Sequence, residues 1–379
     1  MIDPHFFYTK LLQRGTDFFT GVPDSLLKSF CAYITDHTPE NNHIIAVNEG
    51  AAVALASGYY LATGKVPLVY MQNSGIGNAV NPLLSLADPD VYGIPMILVI
   101  GWRGEPGVHD EPQHIKQGKV TCALLEAMGI PFVILSDTAD ALESQVAGCY
   151  TYIAEANAPF ALVVRKDTFA PYTLKKNTEY PEDAEPHLSR EEAIDGIIRL
   201  SAQDELFFST TGMASRELYE LREKYGTGHE QDFLTVGSMG HASQIALSLA
   251  LQKPERSVTC LDGDGAVLMH MGALATIGVR KPRNYRHIVL NNGAHDSVGG
   301  QPTIGLRIDL PAIARAAGYA RVYTARTKDE LHRMLAEKRD GTTFIEVRVR
   351  KGARNDLGRP RSSPIENKTA LMTFLSNNV

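Results

Sequence analysis

Tryptophan and cysteine are scarce in this chain, with one Trp and four Cys among 379 residues. Cys31, Cys122, Cys149 and Cys260 stand far apart with no C-x-x-C spacing, which argues against both a zinc knuckle and a disulfide framework. Such thiols suit a reducing compartment, so a cytoplasmic location is expected. A basic excess is missing too. Lys and Arg total 37 against 43 Asp and Glu, a net charge of -6, so neither nucleic acid nor an anionic membrane is an expected partner. Long apolar runs are absent as well, since stretches such as IPMILVIGW are far too short to cross a bilayer as a helix. The start, MIDPHFFYTKLLQRG, has no basic stretch followed by an apolar core, so no secretory signal is expected. No G-x-x-x-x-G-K-[ST] and no strand-linked G-x-G-x-x-G occurs, which counts against a nucleotide-binding regulatory module. Small molecules remain the expected partners.

What is present is alternation. From His43 onward, the apolar run IIAV precedes the helix-like GAAVALASGYYLATG, followed by VPLVYMQN, a Gly-rich break SGIG, and PMILVIGW. Short buried strands alternating with helices predict a parallel sheet with βαβ crossovers. FALVVR, from Phe160 to Arg165, closes this half. The stretch DTFAPYTLKKNTEYPEDAEPHL is rich in Pro and charge and reads as a linker. A second α/β unit follows, with the runs ELFFSTTG, DFLTVG, SVTCLDGDG, YRHIVLNNG and TTFIEVRVR. The chain is therefore expected to be α/β, with two doubly wound parallel-sheet domains at 1–168 and 189–379 joined by a linker at 169–188.

In such sheets ligands gather at the carboxyl ends of the strands. The residues there are Glu49, Gln72 to Gly77, Thr210 to Gly212, Gly237 to Gly240, Gly263 to Gly265, and Asn291 to Ala294. SVTCLDGDG leaves Asp264 between two glycines, and the next strand ends in Asn291 and Asn292. Residues 266 to 290 lie between, enough for one crossover helix, so the acid and an amide can sit on neighbouring strand ends. One carboxylate and one carboxamide oxygen suit a hard divalent cation, Mg²⁺ above all.

G-D-G followed after this interval by N-N resembles the binding motif of the thiamine diphosphate-dependent decarboxylase superfamily. The resemblance implies a thiamine diphosphate-binding fold without the central domain of its larger members. It also implies Mg²⁺ held by Asp264, Asn292 and the carbonyl of Ala294, with Gly263, Gly265 and Ala266 beside the diphosphate and Asn291 fixing the turn. VNEGAA implies Glu49 as the acid that meets the cofactor's aminopyrimidine. Asn73 and Gly75 in MQNSGIG, and Thr210, Thr211 and Gly212 in STTG, are implied cofactor contacts, although a Thr there could equally cap a helix. TVGSMGH resembles the turn beneath the thiazolium ring, formed by Gly237, Ser238 and Met239.

Within the superfamily the chain resembles the short members that act on phosphonopyruvate or sulfopyruvate, through FTGVPDSLLKSF, GWRGEPGVHDEPQHIKQGK and NNGAHDSVGGQPT besides the motifs above. The implied activity is decarboxylation of 3-phosphonopyruvate, with sulfopyruvate decarboxylation or carboligation as alternatives. A substrate with a phosphonate group calls for cations or donors. Arg103, Gln113 and Ser25 are the candidates to bind it, with Lys116 and Lys119 behind them. Asp24, His109 and His114 are candidate proton carriers, Asp24 being alternatively an N-cap for SLLKSFCAYI. His295, Ser297 and Gln301 follow the metal loop and could cover the substrate. The family implies self-association, at least a dimer, with active sites at the subunit interface. The C-terminal stretch KGARNDLGRPRSSPIENK reads as a solvated tail.

Overall fold

The computed structural model describes residues 1–176, 188–337 and 340–377, so 177–187 of the expected linker lie outside the described residues. The chain divides into two compact units, Met1–Asn177 with Ser297–Gln301, and Thr178–Asp296 with Pro302–Val379.

Each unit is built on a six-stranded sheet whose pairings are all parallel. In the first, β1 (Phe19–Gly21), β2 (His43–Ile45), β3 (Leu68–Gln72), β4 (Ile97–Gly101), β5 (Phe132–Ile134) and β6 (Phe160–Val164) lie in the order β2-β1-β3-β4-β6-β5. In the second, β7 (Leu206–Ser209), β8 (Asp232–Leu234), β9 (Val258–Gly263), β10 (Tyr285–Asn291), β11 (Arg321–Ala325) and β12 (Thr343–Arg348) lie in the order β11-β12-β10-β9-β7-β8. Read from its other edge, the second order repeats the first. In both, the chain steps outward from the first strand and returns on its other side, which opens a switch-point crevice between β1 and β3 and between β7 and β9.

Central strands read as continuous apolar runs because both of their faces are covered. On β3, β4 and β6, Leu68, Tyr70, Ile97, Val99, Leu162 and Val164 point into one core, and Val69, Met71, Leu98, Ile100, Ala161 and Val163 into the other. The second sheet is sandwiched likewise, with Phe207, Ile288, Leu290 and Ile345 on one side and Phe208, Cys260, Val289 and Phe344 on the other. The Ala-rich segment forms the helix Glu49–Thr63, started by the Asn48 side chain accepting from Ala51 N and stopped at Gly64, which is left-handed at φ 68°.

The C-terminal stretch is largely exposed, as expected of a solvated tail, but it is anchored. Gly358 N donates to Glu220 Oε1 at 2.6 Å, and Arg354 pairs with Glu191, Glu220 and Asp356. Beyond it, the helix Pro364–Asn377 sends the Asn367 amide to the backbone of β8, at Leu234 N and Asp232 O. Among the described residues, no helix is long and apolar enough to cross a membrane.

Candidate active site

The crevice between β1 and β3 is bridged by side chains. Gln72, the last residue of β3, donates from Nε2 to Asp24 Oδ1 at 2.6 Å, and Leu26 N donates to Asp24 Oδ2 at 2.9 Å. Asp24 thus closes a local turn rather than capping a helix, because the helix that follows begins at Lys28 and has no side-chain cap. Asp24 is fully buried, and burial raises its pKa despite these donors. A Cβ on Gly101, at the end of β4, would fall 2.1 Å from Asp24 Oδ2, so the carboxylate fits only beside a glycine.

Glu49 opens its helix and is buried, with Oε2 accepting from Asn78 Nδ2 at 2.7 Å. Burial again raises the carboxyl pKa, and the bonds from Asn78 and from the Glu49 backbone offset this only in part. Gly75 contributes space, since a Cβ there would lie 2.3 Å from Glu49 Oε1. The buried Asn73 spends its amide on structure, donating to Arg103 O at 2.8 Å and Thr121 Oγ1 at 2.9 Å while accepting from Arg103 N at 3.2 Å.

That amide pins the turn carrying Arg103. The Arg103 guanidinium donates from Nε to Asp110 Oδ2 at 2.7 Å and from Nη1 to Ser25 Oγ at 2.7 Å, and Nη2 reaches Asp110 Oδ1. Burial alone would raise the Asp110 carboxyl, but the bonds from Arg103 and Gly104 outweigh it and hold the pKa below its usual value. His114 is buried on the helix Pro112–Ala127, and its pKa is lowered to about 4 by burial and by the Arg103 charge, so the ring is neutral near pH 7. His114 Nδ1 and Gln113 Oε1 are buried and have no hydrogen-bond partner among the described residues. His109, Lys116 and Lys119 are exposed. Ser25, Asp24 and His114 therefore gather around Arg103, with Gln113 beside His114, while His109 stays on the surface of the loop.

In the second unit the crevice between β7 and β9 is lined by Thr210, Thr211 and Gly212 on one side and by Gly263, Asp264 and Gly265 on the other. Neither Thr caps the following helix. Gly212, at φ 100°, is the N-cap of Met213–Tyr225 and brings no side-chain bond. Thr211 Oγ1 instead accepts from Gly237 N at 3.0 Å, and the buried Thr210 Oγ1 has no partner among the described residues. An uncapped 13-residue helix start beside a buried open hydroxyl is a fitting place for a phosphate group. Gly237, Ser238 and Gly240 all have positive φ, and a Cβ on Gly240 would fall 2.8 Å from Ala266 O, so this turn packs on the segment after Asp264. Met239, within the turn, is half-buried.

Strands β9 and β10 pair with Gly263 opposite Leu290, which sets Asp264 beside the amide pair. Asp264 is buried and its pKa is raised to about 6 by burial, against bonds from the Thr303 hydroxyl and from the backbone of Asn292 and Gly265. Asn291 is fully used, donating to Gly305 O at 2.9 Å and Glu346 Oε1 at 2.7 Å and accepting from Gly293 N at 3.2 Å. Asn292 Oδ1 accepts from Ala294 N at 3.0 Å. The set of Asp264 carboxylate, Asn292 Oδ1 and a nearby backbone carbonyl is all hard oxygen and fits Mg²⁺. His295 packs over Gly265, whose Cβ would lie 3.2 Å from the ring. Ser297 is exposed, and Gln301 donates to Lys28 O at 3.4 Å.

Sequence reasoning missed Asp110, Asn78, Thr303, Gly101 and Gly305. Only Asp110, seven positions after Arg103 in a loop already singled out, carried a local signal.

Residues 5–123 match the family described as thiamine pyrophosphate enzyme, N-terminal TPP binding domain, and residues 210–347 match its C-terminal TPP binding domain. The fold is thus that of a thiamine pyrophosphate enzyme. Phosphonopyruvate decarboxylase of Streptomyces viridochromogenes is 35% identical over 379 residues, covering 97% of this chain and 93% of the relative. Phosphonopyruvate decarboxylase of Streptomyces hygroscopicus is 36% identical, covering 94% and 90%. Sulfopyruvate decarboxylase of Methanosarcina acetivorans is 30% identical, covering 92% of each. The chain belongs to the thiamine diphosphate-dependent decarboxylase family that contains these enzymes.

Proposed function

We propose that this chain converts 3-phosphonopyruvate to phosphonoacetaldehyde and CO₂ with thiamine diphosphate and Mg²⁺, in the formation of phosphonates of the 2-aminoethylphosphonate type. The observation that carries the reading is Arg103, fixed by Asp110 and Ser25 beside Asp24. A guanidinium has five N–H donors, so some remain for a phosphonate oxygen after these bonds are made. Full-length identity with two phosphonopyruvate decarboxylases supports the same substrate.

Thiamine diphosphate, when bound, supplies the electron sink for the pair released as CO₂ departs. Thr210, Thr211, Gly212 and the helix start at Met213, with Gly237, Ser238, Gly263, Gly265 and Ala266, would hold the diphosphate. Asp264, Asn292 Oδ1 and the Ala294 carbonyl would hold Mg²⁺, and Met239 would support the thiazolium ring. Glu49, whose carboxyl pKa is raised by burial, would serve as the acid for the aminopyrimidine nitrogen. Gly75 and Asn73 act at one remove, the first by clearing Glu49 and the second by fixing the Arg103 turn. Asp24, with its raised pKa, and neutral His114 would carry protons for the substrate, His109 being the alternative on the loop. Gln113 Oε1 and Ser25 orient the substrate.

The enzyme works as a self-associated assembly, at least a dimer with its sites at the subunit interface, and resides in the cytoplasm. Relatives named as separate alpha and beta subunits of sulfopyruvate decarboxylase support the first point. The second reading, sulfopyruvate as substrate, is favoured by the 30% identity to a full-length sulfopyruvate decarboxylase.

The test compares aldehyde formation from phosphonopyruvate, sulfopyruvate and pyruvate with thiamine diphosphate and Mg²⁺. Preference for phosphonopyruvate, lost when either cofactor is withheld, supports the proposal. Preference for sulfopyruvate replaces the substrate, and no aldehyde from any of the three overturns the reaction.

A further inference from the structure

The metal loop contains an acid with no role in the reading above. Asp296 lies four residues past Asn292 with its side chain 9% exposed. Its Oδ2 collects three donors from separate parts of the second unit: Asn292 Nδ2 at 2.6 Å, Arg190 Nη1 at 3.0 Å and Gly352 N at 3.0 Å. Arg190 opens the helix Arg190–Leu200 and is itself gripped by Glu217, from Nε at 2.7 Å and Nη2 at 3.0 Å. The segment after β12 is tied in through Gly352, whose carbonyl also accepts from Arg190 Nη2 at 3.4 Å.

A carboxamide has a donor end and an acceptor end, and only the acceptor end can ligate a cation. Turned over, Asn292 would bring its oxygen to 2.6 Å from a carboxylate oxygen with no proton between them. Its opposite end agrees, because Ala294 N donates to Oδ1. The amide therefore has one permitted orientation, with its oxygen away from Asp296. We infer that Asp296 is a positioning residue that presents Asn292 Oδ1 to the divalent cation, and that the Arg190–Glu217 pair holds Asp296 in place. The inference rests on the assignment of Asn292 as a metal ligand. Partners of this kind, bonded to the far side of a ligand, orient ligands throughout metalloproteins.

The experiment measures Mn²⁺ affinity by electron paramagnetic resonance on the full chain at saturating thiamine diphosphate. Asp296→Ala is expected to weaken Mn²⁺ roughly ten- to hundred-fold, the scale for such orienting partners. Asp296→Asn, whose own amide can turn over, is expected to weaken it by about ten-fold, the lower end of that scale, and it carries the test should the alanine variant not fold. Adding Asp296→Ala to Asn292→Ala is expected to cost nothing further in Mn²⁺ affinity, whereas a general structural defect would add its loss in either background. Wild-type affinity in both Asp296 variants, alongside weakened binding in Asn292→Ala, overturns the inference and leaves the metal site standing. Unchanged Mn²⁺ binding in Asn292→Ala overturns the metal assignment, and the inference falls with it.

Discussion

Gly75 supplies the space that the Glu49 carboxylate occupies, since a Cβ on that glycine would lie 2.3 Å from Oε1. The arrangement recurs. Gly101 faces Asp24 and Gly305 faces Asp264 in the same way, with Cβ to Oδ2 separations of 2.1 and 2.5 Å. Three carboxylates with raised pKa are each backed by a residue without a side chain. Backbone approach this close excludes water that would otherwise solvate the anions, which is why burial dominates all three shifts.

Gly75→Ala should consequently mimic loss of the acid itself. Glu49→Gln removes the titrating proton while keeping shape, and its turnover should fall roughly a hundred-fold or more, the scale of lost general acid–base catalysis, with thiamine diphosphate affinity nearly intact. Gly75→Ala should reduce turnover comparably by displacing the carboxylate. Steady-state kinetics beside calorimetric cofactor titration checks both, and near wild-type turnover in Glu49→Gln would remove that residue from the mechanism.

Asp264 gives a pH signature with a definite sign. Its pKa is about 6 in the folded chain against 3.8 for a free side chain, so the folded state binds more protons between these values. Stability of the metal-free protein therefore falls as pH rises from about 4 through 6, by up to about 3 kcal/mol. Asp264→Asn should stabilise the metal-free chain by up to that amount at pH 7.5, with the difference closing toward pH 4, while losing Mg²⁺ and cofactor affinity. Urea unfolding across this range measures the first effect and calorimetry the second. An Asp264→Asn chain that is less stable than wild type at pH 7.5 would show that the carboxylate is not strained there.

Much of this was legible in the sequence because the motifs are local. Asp264 between glycines and the Asn291–Asn292 pair are each a few residues long, and β9 and β10 are long apolar runs that bracket one crossover. The central strands β3, β4 and β6 declared themselves by runs buried on both faces. Strands β1 and β5 are three residues each, too short for a pattern to emerge, and β11 is half-exposed along most of its length, which blurs the alternation. The glycines behind Asp24 and Asp264 were not legible, because they lie 77 and 41 positions from the acids they face and only folding brings them together. Thr210 and Asp24 resembled helix caps because their residue types favour that position, but the backbone begins each helix elsewhere.

Arg103 should not tolerate lysine. Its fork grips Asp110 through two nitrogens and Ser25 through the third, a geometry that a single ammonium cannot reproduce. Arg103→Lys is expected to raise KM for phosphonopyruvate roughly ten-fold or more, as lost charge-assisted hydrogen bonds would. Asp110→Ala should do the same by freeing the guanidinium, with less effect on kcat. Equal KM in wild type and both variants would place the phosphonate elsewhere.

Thr303 is the donor that most directly opposes burial of Asp264, its hydroxyl bonding Oδ2 of that carboxylate. Thr303→Val keeps the shape and deletes the proton donor, so the Asp264 pKa should rise above about 6. A proton then competes with the cation over a wider range, because only the ionised carboxylate ligates. Mg²⁺ affinity in wild type should fall as pH drops through about 6. In Thr303→Val the fall should begin at higher pH, and affinity near pH 8 should approach that of wild type. Calorimetric Mg²⁺ titrations at stepped pH, with thiamine diphosphate saturating, resolve the displacement. Superimposable pH profiles would mean that the hydroxyl does not tune this carboxylate, and a uniform loss at every pH would instead make Thr303 a packing residue of the segment after β10.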